Sequence, residues 1–169
     1  MAPGLPDRVD CAHLADHATV LERVYALGSM PRLQDLLADT RGSVRARFAF
    51  AMVESGRAGA RVTIQAEPTL VCQRCLQGFA FAVAGSSDIE FSGGSRWSET
   101  DSQREVYATD DGFISLRELA EEELLLALPI VAVCGAPHSC GRAPAYEAQE
   151  QSAERSRPFA VLQDLLKRT

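Results

Sequence analysis

The chain has little of what membrane spans and secretory signals need. No apolar run approaches the ~20 residues that cross a bilayer, and Pro129 interrupts the longest one, residues 124–133. The N-terminus lacks a cationic stretch followed by an apolar one, which argues against a secretory signal. We therefore expect a cytoplasmic protein with no membrane partner.

The chain is also poor in the motifs of common enzyme classes. Neither of the glycine-rich phosphate-binding patterns, G-x-x-x-x-G-K-[ST] and G-x-G-x-x-G, is present. His13 and His17 are spaced to share a helix face, but surface histidine pairs are commoner than catalytic ones. The run of acids at 121–123 cannot converge on one substrate, since consecutive helix positions point about 100° apart. We expect this run to be a solvated helix edge, and the chain to be a non-enzyme without a small-molecule substrate.

Charge is unevenly distributed along the 169 residues. The net charge of −6 argues against a protein that coats nucleic acid through bulk charge. Residues 41–66 nevertheless carry five arginines and one acid, and residues 110–123 carry six acids and one arginine. The first segment is a candidate RNA surface and the second a candidate surface for a basic partner. The alternative is that both are simply solvated faces.

Periodicity predicts an α+β fold, an antiparallel sheet with a hairpin packed against a few helices. Apolar spacing favours a helix over 18–26 and a short helix after Pro31. Alternation over 44–52 and 62–66 predicts the hairpin, with Arg45, Arg47 and Arg61 on its polar face. A third strand is expected at 69–72 and a fourth through residues 79–83. The Gly/Ser-rich residues 85–103, with one apolar island at 89–91, then indicate a strand end followed by a mobile loop.

The second half of the chain contains the clearest helix signal. Ser115 and Glu118 have the spacing of a capping box, and Pro129 limits the helix to about Leu128. A short helix is expected from Pro158. We therefore divide the chain into a helical lead-in (1–40), a core domain (41–141), and a polar linker with a short C-terminal helix (142–169).

Four of the five cysteines fall in two groups. Cys72 and Cys75 form a C-x-x-C knuckle, a spacing that lets both sulfurs reach one ion. About sixty residues later, Cys134, His138 and Cys140 lie in a Gly/Pro-containing loop. One structural zinc could take Cys72, Cys75, Cys140 and either Cys134 or His138. The alternative is that no metal binds, because buried free cysteine often behaves as a small hydrophobe.

A thiol oxidoreductase is the rival interpretation of the C-x-x-C motif. Such an enzyme needs a thiolate at a helix N-terminus, open to a substrate disulfide. Here the motif follows a predicted strand and leads toward another, and the single tryptophan, Trp97, is not beside it. Metal binding is therefore favoured over redox chemistry.

Three segments in the same order and spacing resemble the YceD family. They are Leu70–Cys75 followed by Phe79, the segment from Ile114 through the acids to Leu128-Pro129, and Pro158–Leu162. The resemblance covers about residues 60–168. It implies a cytosolic role in the accumulation of large-subunit ribosomal RNA, with no catalytic residues. It supports Cys72 and Cys75 more strongly than Cys134 or Cys140.

Two modes of action follow as hypotheses. In the first, the protein binds large-subunit ribosomal RNA or a pre-ribosomal particle, and phosphates contact Arg45, Arg47, Arg61 and Arg74. In the second, it is an adaptor whose acidic helix, through Glu118, Glu121 and Glu122, binds a basic ribosomal or RNA-processing protein.

Overall fold

The computed structural model describes residues 7–54, 56–93, 105–135 and 140. Its elements follow the chain in this order: β1 (Arg8–Asp10), α1 (Cys11–Asp16), β2 (Val20–Ala26), 3-10 helices at Leu27–Ser29 and Pro31–Leu36, β3 (Ser43–Met52), β4 (Ala58–Ala66), β5 (Thr69–Val71), β6 (Gly78–Ala80), β7 (Val83–Gly93), β8 (Glu105–Thr109), β9 (Phe113–Ser115) and α2 (Leu116–Ala127). This is a mixed α+β fold, as predicted. No helix in these ranges is long and apolar enough to cross a membrane.

The main sheet carries most of the core. Within the described ranges it has five strands in the order β2-β3-β4-β7-β8, and β1-β9 and β5-β6 form two smaller sheets. Neighbouring strands are antiparallel except β7 and β8, which are parallel. The predicted antiparallel sheet is therefore confirmed for the first four strands, and the parallel β8 was not foreseen.

The β3-β4 hairpin forms where the alternation predicts it. Val44, Phe48 and Phe50 point into the core and are buried, while Arg45 and Arg47 lie on the exposed face. Burying side chains of this size stabilises the fold by roughly 1.5–3 kcal/mol each. Because the strand period is two, one buried face fixes the register, which pairs Phe48 with Val62.

Helix α2 packs against the inner face of this sheet. Ser115 caps its first turn, since its Oγ accepts from the Glu118 amide over 3.2 Å. Leu116, Leu119 and Leu124 are buried against the sheet, where the helix contacts β4 and β7. The predicted helix and its serine cap are confirmed.

The helix predicted over 18–26 is wrong, because Val20–Ala26 is the strand β2. It pairs with β3 along its whole length, from Val20 opposite Ala49 to Ala26 opposite Ser43. The apolar residues fit a helical spacing and do not alternate, but pairing with the edge of β3 makes the segment a strand and leaves Val20 and Val24 exposed. After Pro31 the chain forms a 3-10 helix, with the proline at its start as expected.

The strand predicted through residues 79–83 is divided in two. Gly78–Ala80 (β6) pairs with β5, and a new strand, β7, begins at Val83 in the main sheet. The strand end predicted at the start of 85–103 is confirmed and extends to Gly93, because β7 pairs with β4 through Gly85, Ser86 and Ser87. The backbone pairing of a central strand outweighs the weak strand preference of Gly and Ser.

The solvated acidic edge predicted for α2 is also wrong in part. Glu121 is 2% exposed and Glu123 is 7% exposed, whereas Glu118 lies on the surface. The predicted linker and C-terminal helix, residues 142–169, lie outside the described residues. The domain boundaries remain predictions.

Candidate metal centre

The C-x-x-C knuckle forms a tight turn between β5 and β6. The Cys72 amide donates to the Gln77 carbonyl over 2.9 Å, and the Leu76 amide donates to the Cys72 carbonyl over 2.8 Å. Leu76 adopts a left-handed backbone with φ 61°. These bonds hold the two cysteines of the motif on one side of the turn.

The segment after α2 lies against this knuckle. The Gln73 amide donates to the Ala132 carbonyl over 2.8 Å, a link between residues that are far apart in sequence. Two residues later, the Cys134 amide lies 3.4 Å from the Cys72 sulfur and donates to it. Pro129, which ends the helix, is thus followed by a segment that brings Cys134 to the knuckle.

Four cysteine sulfurs converge here: those of Cys72, Cys75, Cys134 and Cys140 all lie within 4.8 Å of one another. Cys72 and Cys140 are 3.7 Å apart, and Cys75 and Cys134 are 3.9 Å apart. A tetrahedral zinc with Zn–S distances of about 2.3 Å places its sulfurs about 3.8 Å apart. The four cysteines are not disulfide-bonded and lie close enough to hold a metal ion.

Backbone amides favour the thiolate form of Cys72. The amides of Cys134 and Cys75 are the main causes that lower the pKa of Cys72 to about 5. The pKa of Cys134 is raised to about 12, because its hydrogen bond with Cys140 and its burial favour the neutral thiol. A bound cation would reverse this, since a coordinating thiol is deprotonated.

Two further groups could be considered as metal ligands, the imidazole of His138 and the thiol of Cys11. His138, the alternative to Cys134, is outside the described residues, and Cys134 itself completes a set of four thiols. Cys11 is buried in the core below β3, where desolvation raises its thiol pKa to about 12. It is therefore separate from the cluster and suited to packing.

The four candidate RNA-binding arginines are not equivalent. Arg61 pairs with Asp88 through two hydrogen bonds of 2.9 and 2.7 Å, and Arg74 donates to Cys140. Arg47 lies 3.8 Å from Glu22, a distant and exposed pair. Arg45 has no ion-pair partner among the described residues. Arg45 and Arg47 thus have the least compensated charges, and they line a shallow surface cavity of about 200 Å³ with Thr63 and Gln65.

The three glutamates proposed to bind a partner are also divided. Glu118 is exposed, and Glu122 lies 3.8 Å from Arg32 at the surface. Glu121 is buried, and its Oε1 accepts from the Arg32 amide over 2.6 Å. Burial removes Glu121 from the surface that the adaptor hypothesis needs. Sequence periodicity gave no sign of this bond, because the amide comes from a distant 3-10 helix.

Comparison with known proteins identifies the family. The family model described as "Large ribosomal RNA subunit accumulation protein YceD" matches residues 60–166, well over half of the chain. The chain belongs to the YceD family. A family member of the same name from Haemophilus influenzae is 25% identical over 148 residues, which cover 83% of this chain and 84% of the relative. No solved structure matches the chain.

The YceD match includes the whole candidate metal centre and α2, but it begins inside β4. Of the candidate RNA surface, it contains Arg61 and Arg74, while Arg45 and Arg47 precede it. The broader alignment with the H. influenzae relative supports the resemblance over most of the chain.

Proposed function

We propose that this protein is a non-catalytic factor that supports the accumulation of large-subunit ribosomal RNA by binding that RNA or a pre-ribosomal particle. Membership of the YceD family carries this proposal, since the family and the H. influenzae relative are both named for this role. The cysteine cluster supplies a structural element, a zinc centre that joins the β5-β6 knuckle to the segment after α2.

The exposed face of the main sheet is the proposed RNA contact. Arg45 lies opposite Gln65 and Arg47 opposite Thr63, so two cations and two neutral polar groups are adjacent on this face, with Glu22 beside Arg47. Arginine forks match phosphate oxygens, and neighbouring polar side chains can add hydrogen bonds. The predicted contact at Arg61 is weakened by its bidentate bond to Asp88. With few contacts and a chain of net negative charge, we expect weak, salt-sensitive binding.

Salt-dependent binding tests this surface. Each lost phosphate contact should lower the slope of log affinity against log salt by about 0.7–0.9. The double variant Arg45→Gln, Arg47→Gln should therefore lose about 1.5 in slope on a large-subunit RNA fragment. Arg61→Gln, on the same face but already paired, is the matched control and should change the slope little. Equal slopes for the wild type, the double variant and Arg61→Gln would exclude this face as the RNA contact.

The biological role has its own test, deletion of the gene in its host. A selective fall of large- against small-subunit ribosomal RNA, restored by the wild-type gene, is expected. The double variant Arg45→Gln, Arg47→Gln is then tested in the deletion strain. If the role does not require RNA contact through these arginines, the variant will restore large-subunit ribosomal RNA as fully as the wild type. A pull-down that survives nuclease treatment would then favour the protein adaptor, which retains Glu118 and Glu122 as exposed acids.

The zinc centre is supported by four convergent thiols and their spacing. Zinc is the metal best suited to four cysteines held in a small, closed site. Protein purified without tag or chelator should contain close to one equivalent, and less than about 0.1 equivalent with free thiols would exclude it. Burial supports the structural role over thiol exchange, because Cys72 and Cys75 are both closed to a substrate disulfide.

A further inference from the structure

The arginine inside the C-x-x-C motif bonds to the cysteine that lies farthest away in sequence. The Nε of Arg74 donates to the Cys140 sulfur over 3.0 Å, across 66 residues of chain. The same guanidinium also interacts with Cys134. Among the described residues, Arg74 is the one cationic side chain that donates to a sulfur of the cluster.

Among the described residues, Arg74 is the charged group that contacts Cys140, whose other contacts are sulfurs of the cluster. Cys72 is fixed by its own backbone bond to Gln77 and by the Cys134 amide that reaches its sulfur. Cys140 lies 3.7 Å from the Cys72 sulfur, hydrogen-bonds with Cys134, and accepts from Arg74 over 3.0 Å. Arg74 is therefore the charged group that ties Cys140 to the knuckle.

Charge gives the bond a second consequence. Four thiolates around one zinc carry a net charge of −2, and a guanidinium bonded to one of them offsets half of it. Hydrogen bonds between a guanidinium and an anionic acceptor are about twice as strong as neutral ones. Side chains that orient metal ligands in this way typically account for about 10–100-fold in metal affinity.

We infer that Arg74 is a positioning residue of the metal centre: it holds Cys140 in place as a ligand and offsets the charge of the thiolates. The inference rests on the zinc centre of the proposed function. It gives Arg74 a different role from the predicted contact with RNA phosphate, because the Nε of Arg74 donates to the cluster.

Competition with a chromogenic zinc chelator on the full-length protein tests the inference. Arg74→Gln should weaken zinc binding about 10–100-fold. Arg74→Lys should fall between Gln and the wild type, since lysine keeps the charge but not the planar fork. Arg117→Gln, which changes an exposed arginine in the first turn of α2, is the matched control and should bind zinc as the wild type does.

A double-mutant cycle shows whether Arg74 acts through Cys140. In the Cys140→Ala background, the further change Arg74→Gln should alter zinc affinity less than twofold, because the bonded sulfur is gone. Unfolding of Arg74→Gln and of the wild type should coincide in excess chelator, where zinc stabilises neither, and a general loss of packing would separate them. Wild-type affinity in Arg74→Gln, or an undiminished effect of Arg74→Gln when Cys140 is absent, would overturn the inference.

The outcomes also separate this inference from the proposal beneath it. If the wild-type protein binds no zinc, both the metal centre and the positioning role of Arg74 are contradicted. If the wild type binds zinc and Arg74→Gln binds it with the same affinity, only the positioning role of Arg74 is contradicted. An unchanged salt slope of RNA binding in Arg74→Gln would agree with its assignment to the cluster instead of the phosphate surface.

Discussion

The buried carboxylate of Glu121 accepts a hydrogen bond from the backbone amide of Arg32 over 2.6 Å, across 89 residues of chain. Arg32 stands at the start of the 3-10 helix Pro31–Leu36, where amides lack partners within the helix. The bond thus satisfies a free donor and attaches α2 to the N-terminal part of the fold.

Removal of this carboxylate should destabilise the protein. Glu121→Ala leaves the Arg32 amide without its partner, which costs about 1–3 kcal/mol. Glu121→Gln keeps a carbonyl acceptor and should retain more of the stability. Glu118→Ala, an exposed acid in the same helix, should change the free energy of unfolding by less than about 0.5 kcal/mol. Urea titration of the three variants checks this, and equal effects of Ala at 118 and 121 would contradict it.

The contrast between α2 and β2 shows how much of the fold the sequence could predict. Ser115, Glu118 and Pro129 mark the ends of α2 through local chemistry, which does not depend on distant residues. Val20–Ala26 has no such signals, and the spacing of its apolar residues favours a helix. Only the unpaired edge of β3 makes it a strand, and that edge is a tertiary feature.

The candidate site shows the same limit. The knuckle at Cys72 and Cys75 follows from local spacing, so its ability to bind a metal could be predicted. The pairing of Arg61 with Asp88 depends on the register between β4 and β7, in a stretch whose composition favours a loop. The bond from Arg74 to Cys140 likewise requires the fold to bring together segments 66 residues apart.

Stability should depend on pH through Glu123. Burial is the main cause that raises the pKa of this carboxyl, and the negative charges of Glu105 and Glu122 raise it further. The folded state therefore holds the proton more tightly than the unfolded chain, and stability falls as pH rises from the unfolded pKa through the folded one. Glu123→Gln removes this loss, so it should be more stable than wild type at pH 7.

The advantage of Glu123→Gln should shrink at pH 4, where the carboxyl is protonated in both states of the wild type. Urea titrations at the two pH values measure the difference, with Glu118→Gln as the exposed control in the same helix. An advantage of Glu123→Gln that is as large at pH 4 as at pH 7 would mean that ionisation is not its cause.

The left-handed backbone at Leu76 predicts a stabilising substitution. Leu76 has φ 61° and a side chain that is 65% exposed, so it has backbone strain and little packing. Glycine at this position relieves about 1–2 kcal/mol of backbone strain. Part of this gain is offset, because glycine loses more conformational entropy than leucine when the chain folds. Leu76→Gly should therefore gain about 0.5–1 kcal/mol.

Leu126 provides the matched control, because its side chain is 64% exposed but lies in the last turn of α2. Leu126→Gly should lose about 1 kcal/mol, the cost of glycine in a helix. Thermal unfolding of the zinc-loaded proteins checks both signs. A loss of stability in Leu76→Gly similar to that in Leu126→Gly would show that the turn is not strained by leucine.

Removal of the metal should loosen the link between the knuckle and the segment after α2. If zinc joins the four sulfurs, a strong chelator lowers the thermal midpoint, since metal that binds only the folded state adds its binding energy to stability. Cys75→Ala should start from a lower midpoint and respond little to the chelator. Cys11→Ala, which alters a buried cysteine outside the cluster, should lose some packing energy and still respond as fully as the wild type. A chelator response that persists unchanged in Cys75→Ala would place the bound metal elsewhere in the chain.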